Sequence, residues 1–225
     1  DCGPSPDDLA DYGRIRERLV CRLVNRERNR EQLEEIPHIP YLDMEIVFVV
    51  LVSGSGPEEA GMMTFMVNNE ISRKWPGDAR DLFSQAVENM QRLCPATLES
   101  IRETVKRFAG NSLYGDVSGK LEDRLCSGRV PPMYILSSRT GIYGAAAILY
   151  PGVLKRFAES QGSDLVIIPS SIHEVLLIPL EKETDTGQLR SMVREINETE
   201  LLPEDRLSDQ VYIYRREKDR VEIAD

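Results

Sequence analysis

The segment "IPSSIHEV", residues 168–175, places two hydroxyls, an imidazole and a carboxylate close together. Ser170 or Ser171 could serve as a nucleophile if His173 took its proton, as acyl transfer requires. Successive strand side chains point to opposite faces, so Glu174 would face away from His173, and only Ser171 and His173 could share a side. The nucleophile elbow G-x-S-x-G surrounds neither serine. These residue types also have a plain structural use, because hydroxyls and a histidine satisfy loose backbone groups where two buried strands meet. The structural corner is preferred, with a hydrolase using Ser170 or Ser171 and His173 as the alternative.

Two imidazoles and a carboxylate would suit zinc with an open position. His38 and Asp43, with Glu45 beside them, could join His173, should the two strand ends meet. Neither H-E-x-x-H spacing nor a cysteine pair accompanies them. His38 reads equally well as part of a proline-bounded loop and Asp43 as a strand cap, so no metal and no cofactor is expected. "SGSGPEEAG" holds a lone G-x-G between two strands, which suits a hairpin loop better than a phosphate cradle. Trp75, beside Pro76, reads as a packed indole in preference to an exposed recognition patch.

Arg14, Arg18, Arg22, Arg26 and Arg30 recur every fourth residue, a row that could meet an acidic partner or a phosphate backbone if the segment is helical. Glu17, Glu27, Glu31, Glu34 and Glu35 are interleaved with it and favour a solvated, locally paired face. Binding of nucleic acid or an acidic partner through this row is a second alternative.

The elements that must position these residues follow from apolar spacing. Ser5, Pro6, Asp7 and Asp8 form a helix start. Leu9, Tyr12, Ile15, Leu19 and Leu23 predict a helix running to just before Pro37. Residues 45–52 predict a central strand and 62–67 its hairpin partner. Ala79, Leu82, Phe83, Ala86, Val87 and Met90 predict an amphipathic helix, and a further helix is expected over 97–108. Residues 110–132 form a glycine-punctuated connector and a possible internal boundary. Beyond it, 133–138 and 142–150 predict a hairpin around "RTG", and "PGVLKRFAESQG" a helix. "DLVIIP" and "EVLLIPL" are strands, Asp185 and Gln188 open a helix as a capping box, and "QVYIYRRE" is a final strand. The order α-β-β-α-α-β-β-α-β-β-α-β favours an α+β fold with a mixed, largely antiparallel sheet.

The totals narrow the function classes. In 225 residues, 41% apolar content supports a sizeable core, while 38 acidic against 28 basic residues give a net charge of −10. That surface repels polyphosphate, so nucleic acid and anionic membrane are poor default partners. Cys2, Cys21, Cys94 and Cys126 show no C-x-x-C spacing and suit free thiols in a reducing cytoplasm. No apolar run is long enough to span a bilayer. The chain begins with Asp1, so removal of a leader before it stays open.

"RLVNRERNREQLEEIPHIPYLDMEIVF", "AAILYPGVLKRFAESQGSDLVIIPSSIHEVLLIP" and "LSDQVYIYRRE" resemble a family of uncharacterised proteins from gut anaerobic bacteria, known as a domain of unknown function. "YPGVLKRFAE" and the segment around "PSSIHEV" are the most specific parts, with Ile168 where leucine is expected. The resemblance spans Tyr12 to Glu217. It implies one contiguous unit over residues 1–225 and a cytoplasmic bacterial protein, and it supplies no activity, cofactor or site residues. The leading expectation is an interaction protein without catalytic activity, its partner unknown, with a protein as the candidate class.

Overall fold

The structure, a computed structural model, describes residues 9–52, 63–103, 132–169, 171–182, 184–199 and 201–224. The chain divides into two compact units, Asp1–Pro95 and Ala96–Asp225. The helix start at Ser5–Asp8, the "SGSGPEEAG" loop, Cys2, Cys126 and nearly all of the 110–132 connector lie outside the described residues.

In the N-terminal unit, β3 (Met44–Val52) is the centre of a four-stranded antiparallel sheet. β1 (Leu19–Asn25) runs along one side of it, from Leu19 opposite Val50 to Asn25 opposite Met44. β2 (His38–Tyr41) and β4 (Met63–Met66) share the other side, one beside the start of β3 and one beside its end. The long first helix expected from the sequence is replaced by short pieces. These are α1 (Tyr12–Ile15), a 3-10 turn over Arg16–Arg18, β1 itself, and α2 (Arg30–Leu33). Leu19 and Leu23 fit a period of four, yet Leu19, Val20, Cys21, Leu23 and Val24 are all buried, on both faces of the strand. A segment apolar on both faces carries no period that separates helix from strand, and pairing with β3 decides it.

The turn from β2 to β3 is held from outside. Leu42 sits at φ 55, a left-handed conformation that costs a residue with a Cβ about 1–2 kcal/mol. The Arg26 guanidinium donates to the carbonyls of Leu42 at 2.8 Å and Met44 at 3.0 Å, and through Nε to Glu45 Oε1 at 2.6 Å. The Glu45 side chain is only 5% exposed, so losing Arg26 would strand a buried carboxylate, an error costing about 3 kcal/mol.

α3 (Asn69–Ser72) leads to α4 (Ala79–Leu93), the amphipathic helix expected from its spacing. Asp78 caps it by accepting from the N–H groups of Arg80 and Asp81, while Asp81 Oδ2 accepts from the Asp78 N–H at 2.8 Å. Those backbone donors hold the Asp78 carboxyl below its ordinary range. α4 buries Leu82, Ala86, Val87 and Met90. Met90 Sδ lies 3.4 Å from both the Cys21 N and Sγ, and burial pushes that thiol up to about 12, so it stays protonated and unreactive. Trp75 is buried, and its indole N–H donates to the Leu9 carbonyl at 3.1 Å, as a packed indole should.

The C-terminal unit is built on a six-stranded antiparallel sheet in the order β10-β9-β7-β8-β6-β5. Its strands are β5 (Ala96–Ser100), β6 (Tyr134–Ser138), β7 (Leu165–Ile168), β8 (Val175–Pro179), β9 (Tyr212–Arg215) and β10 (Arg220–Ile223). Val166, Ile168, Ile178 and Ile213 share one face and pack on Leu189, Met192 and Val193 of α6 (Thr186–Thr199). On the opposite face Tyr134 meets Phe157 of α5 (Val153–Gln161) edge-on, with ring centres 4.8 Å apart. Asp185 opens α6 by accepting from the Gln188 N–H at 3.0 Å.

Two expectations are corrected here. The helix predicted over 97–108 begins as β5, paired with β6 from Ala96 opposite Ser138 to Ser100 opposite Tyr134, and Leu98 is 39% exposed. Residues 104–108 lie outside the described set. The strand predicted over 142–150 is a 3-10 helix, Gly144–Leu149. Its glycine and three alanines lack the bulk and β-branching that favour a pleated surface, and they are buried where backbones approach closely. The sequence reading also missed β2, which occupies the supposed proline-bounded loop, and β10.

Candidate functional site

The "SSIH" segment is the link between β7 and β8. Three stretches of backbone converge on it. Ser171 Oγ accepts from the His173 N–H at 3.1 Å, and the Ser171 N–H donates to the Glu174 carbonyl at 3.2 Å, closing the corner on itself. Ser137, at the end of β6, donates its hydroxyl to the His173 carbonyl at 2.7 Å. The Ile172 N–H donates to the Asp205 carbonyl at 3.0 Å, and its carbonyl accepts from the Ala145 N–H at 3.3 Å.

Gly144 is fitted to this junction. A Cβ there would stand 2.2 Å from the His173 carbonyl oxygen, 2.3 Å from Ser137 Oγ and 2.6 Å from the Ser138 N. Tyr143 just before it adopts φ 48, a left-handed conformation unusual for a large side chain. The surrounding hydrogen bonds over-determine the corner enough to hold that strain.

The His173 ring leaves the junction. Its side chain is 46% exposed, and Nε2 stands 3.5 Å from Oδ1 of Asp205, which is 28% exposed. Glu174 beside it is raised above the ordinary carboxylate range, first by burial, with His173 pulling the other way. A carboxylate-backed imidazole open to solvent can exchange protons with water or with a bound hydroxyl. Ser171 is 7% exposed, and its oxygen serves the backbone of His173 while the ring faces Asp205. Ser170 lies outside the described residues.

The other candidates are distributed differently. His38 is in β2, its Nδ1 3.0 Å from the Ile36 carbonyl oxygen. Asp43 is in the β2–β3 turn; both belong to the N-terminal unit and His173 to the C-terminal one. Within either unit, no three His, Cys, Asp or Glu side chains among the described residues are grouped to hold a metal ion. The arginine row is corrected because the helix beneath it is absent. Arg14 is in α1 beside Asp11, Arg18 ends the 3-10 turn, Arg22 is in β1, Arg26 clamps the Leu42 turn and Arg30 opens α2.

A further site was missed by the sequence reading. One face of α4 and the 3-10 turn before β1 border an open polar groove of about 490 Å³, lined by Arg16, Glu17, Gln85, Glu88, Asn89 and Arg92, of which the four charged residues are exposed. Positions 85, 88, 89 and 92 follow the helical three-and-four spacing, which marks one face but says nothing of what faces it. Asn89 is the floor, 3% exposed, its amide donating to the carbonyls of Arg16 at 2.6 Å and Leu19 at 2.7 Å. Gln85 donates to Asn89 Oδ1 at 3.1 Å, and Arg92 donates to the Glu17 carbonyl at 2.9 Å.

Fold and corner together define an α+β protein of antiparallel sheets, with its polar link built largely from main-chain hydrogen bonds. The chain belongs to a family described as a family of unknown function (DUF5688), which it matches over residues 3–216, as its resemblance implied. No curated protein and no solved structure matches it. No helix among the described residues is long and apolar enough to cross a membrane.

Proposed function

We propose that this chain is a bacterial cytoplasmic interaction protein that acts by binding another protein, and that the His173 corner serves architecture. The observation that carries this reading is the Ser171 hydroxyl, which is buried and accepts from the His173 N–H at 3.1 Å instead of standing against the imidazole. A serine nucleophile needs its base within hydrogen-bond reach; here the ring turns towards Asp205. The test is turnover by the purified chain on ester and peptide substrates, with His173→Ala alongside. Equal background in the two proteins is expected. Turnover present in the parent and lost in His173→Ala would overturn the proposal.

One observation favours a second reading, proton-transfer chemistry by His173 backed by Asp205 on a substrate that brings its own hydroxyl or water. It is the half-exposed ring with a carboxylate 3.5 Å from Nε2. The same screen separates the two, because Asp205→Asn would then lower turnover and Ser171→Ala would not.

A further inference from the structure

We propose that the groove between α4 and the Arg16–Arg18 turn is a binding site for a small zwitterion carrying a free ammonium and a free carboxylate, such as an amino acid or a short peptide with unblocked ends. The proposal goes beyond the protein-binding reading above: it adds a small-molecule site at a place in the N-terminal unit that the His173 corner does not use.

The lining decides the ligand's charge. Two guanidinium groups, Arg16 and Arg92, and two carboxylates, Glu17 and Glu88, surround the space. No ion pair joins any of these four side chains to another. The Arg16 guanidinium and the Glu17 and Glu88 carboxylates also have no hydrogen-bond partner among the described residues, whereas Arg92 is held by the Glu17 carbonyl. A lone anion would face Glu17 and Glu88, and a lone cation would face Arg16 and Arg92, so either meets like charge on entering. A molecule bearing both charges satisfies both sets.

The floor supports the same ligand. The Asn89 amide is locked by two carbonyls and by Gln85, so the charged groups stand around a fixed polar base with little of it left to reorganise on binding. At about 490 Å³ the groove falls within the range of small-molecule sites. Its polar lining calls for a ligand that is itself polar at both ends.

The test is calorimetric titration of the full chain with glycine, triglycine, N-acetyl-triglycine and triglycine amide. The site predicts binding of glycine or triglycine, and the stronger of the two identifies the source as a free amino acid or a peptide. Blocking either end of triglycine should weaken binding about tenfold, the equivalent of one charged hydrogen bond. Arg16→Gln should weaken triglycine by a similar factor while leaving triglycine amide unchanged, and Glu88→Gln should do the same for the acetylated peptide. The blocked peptides probe the parent protein, so the result stands even if a variant folds poorly. No heat from any ligand up to about 10 mM, or equal binding of blocked and free forms, would overturn the site. Either outcome leaves the His173 turnover experiment to judge the interaction reading by itself.

Discussion

The His173 corner and the α4 groove are both polar clusters, and they treat their polar atoms in opposite ways. In the corner, hydroxyls and main-chain groups bind one another: Ser137 to His173, Ser171 to His173, Asp205 to Ile172. Among the described residues of the corner, His173 is the exposed one and its imidazole projects into solvent. In the groove the main chain is tied down by Asn89 and Arg92, while three charged side chains are left without partners among the described residues. A cluster that satisfies itself builds structure, because buried polar groups without partners cost about 1–3 kcal/mol each. A cluster that keeps charges available at its rim can bind.

This contrast can be broken at the corner first. Gly144→Ala drives a methyl into the Ser137 hydroxyl, the His173 carbonyl and the Ser138 main chain, and the last two are backbone groups that cannot rotate away. A loss of about 3 kcal/mol is expected for the C-terminal unit, read as a lowered urea midpoint. A variant as stable as the parent would show that the junction is loose and the contrast false.

Glu174 offers a smaller test of opposite sign. Its folded carboxyl is raised by burial, so the folded state holds that proton more tightly than the unfolded chain does. Its contribution is therefore most favourable below the unfolded value and is lost as pH rises through the folded one. Glu174→Gln should raise Tm by about 1–2 °C at neutral pH and remove that difference in acid. A lower Tm at pH 7 would mean that the carboxylate is stabilised by a group facing it.

The smallest effect belongs to the groove. Arg16→Gln and Glu88→Gln should each change stability by less than about 0.5 kcal/mol, as expected for exposed side chains outside any network. Thermal unfolding measures it, and a loss above about 1 kcal/mol would make these charges structural.

The sequence was most informative where one periodicity stood alone. α4 was legible because Leu82, Ala86, Val87 and Met90 line one face. The β7–β8 pair was legible from two short apolar runs around a polar link. β1 was not, because burial on both faces erases the alternation that marks a strand, and the helical spacing of Leu19 and Leu23 is then a coincidence of packing. β5 failed for a related reason: Leu98 and Ile101 match a helix, but hydrogen bonding to β6 sets the backbone of residues 96–100. The groove could not be read at all, since it joins residues 16 and 17 to a helix some 70 positions later.

By itself, then, the sequence determined the α+β class, the amphipathic face of α4, the capped start of α6 and the turn at "SSIH". Each of these depends on neighbours in the chain. Only the tertiary structure decided that β1 is a strand, that Ser171 serves the His173 backbone, and that Arg16 and Glu88 line one groove. Those outcomes depend on which distant segment supplies the hydrogen bond or the facing wall, and local spacing does not contain that choice.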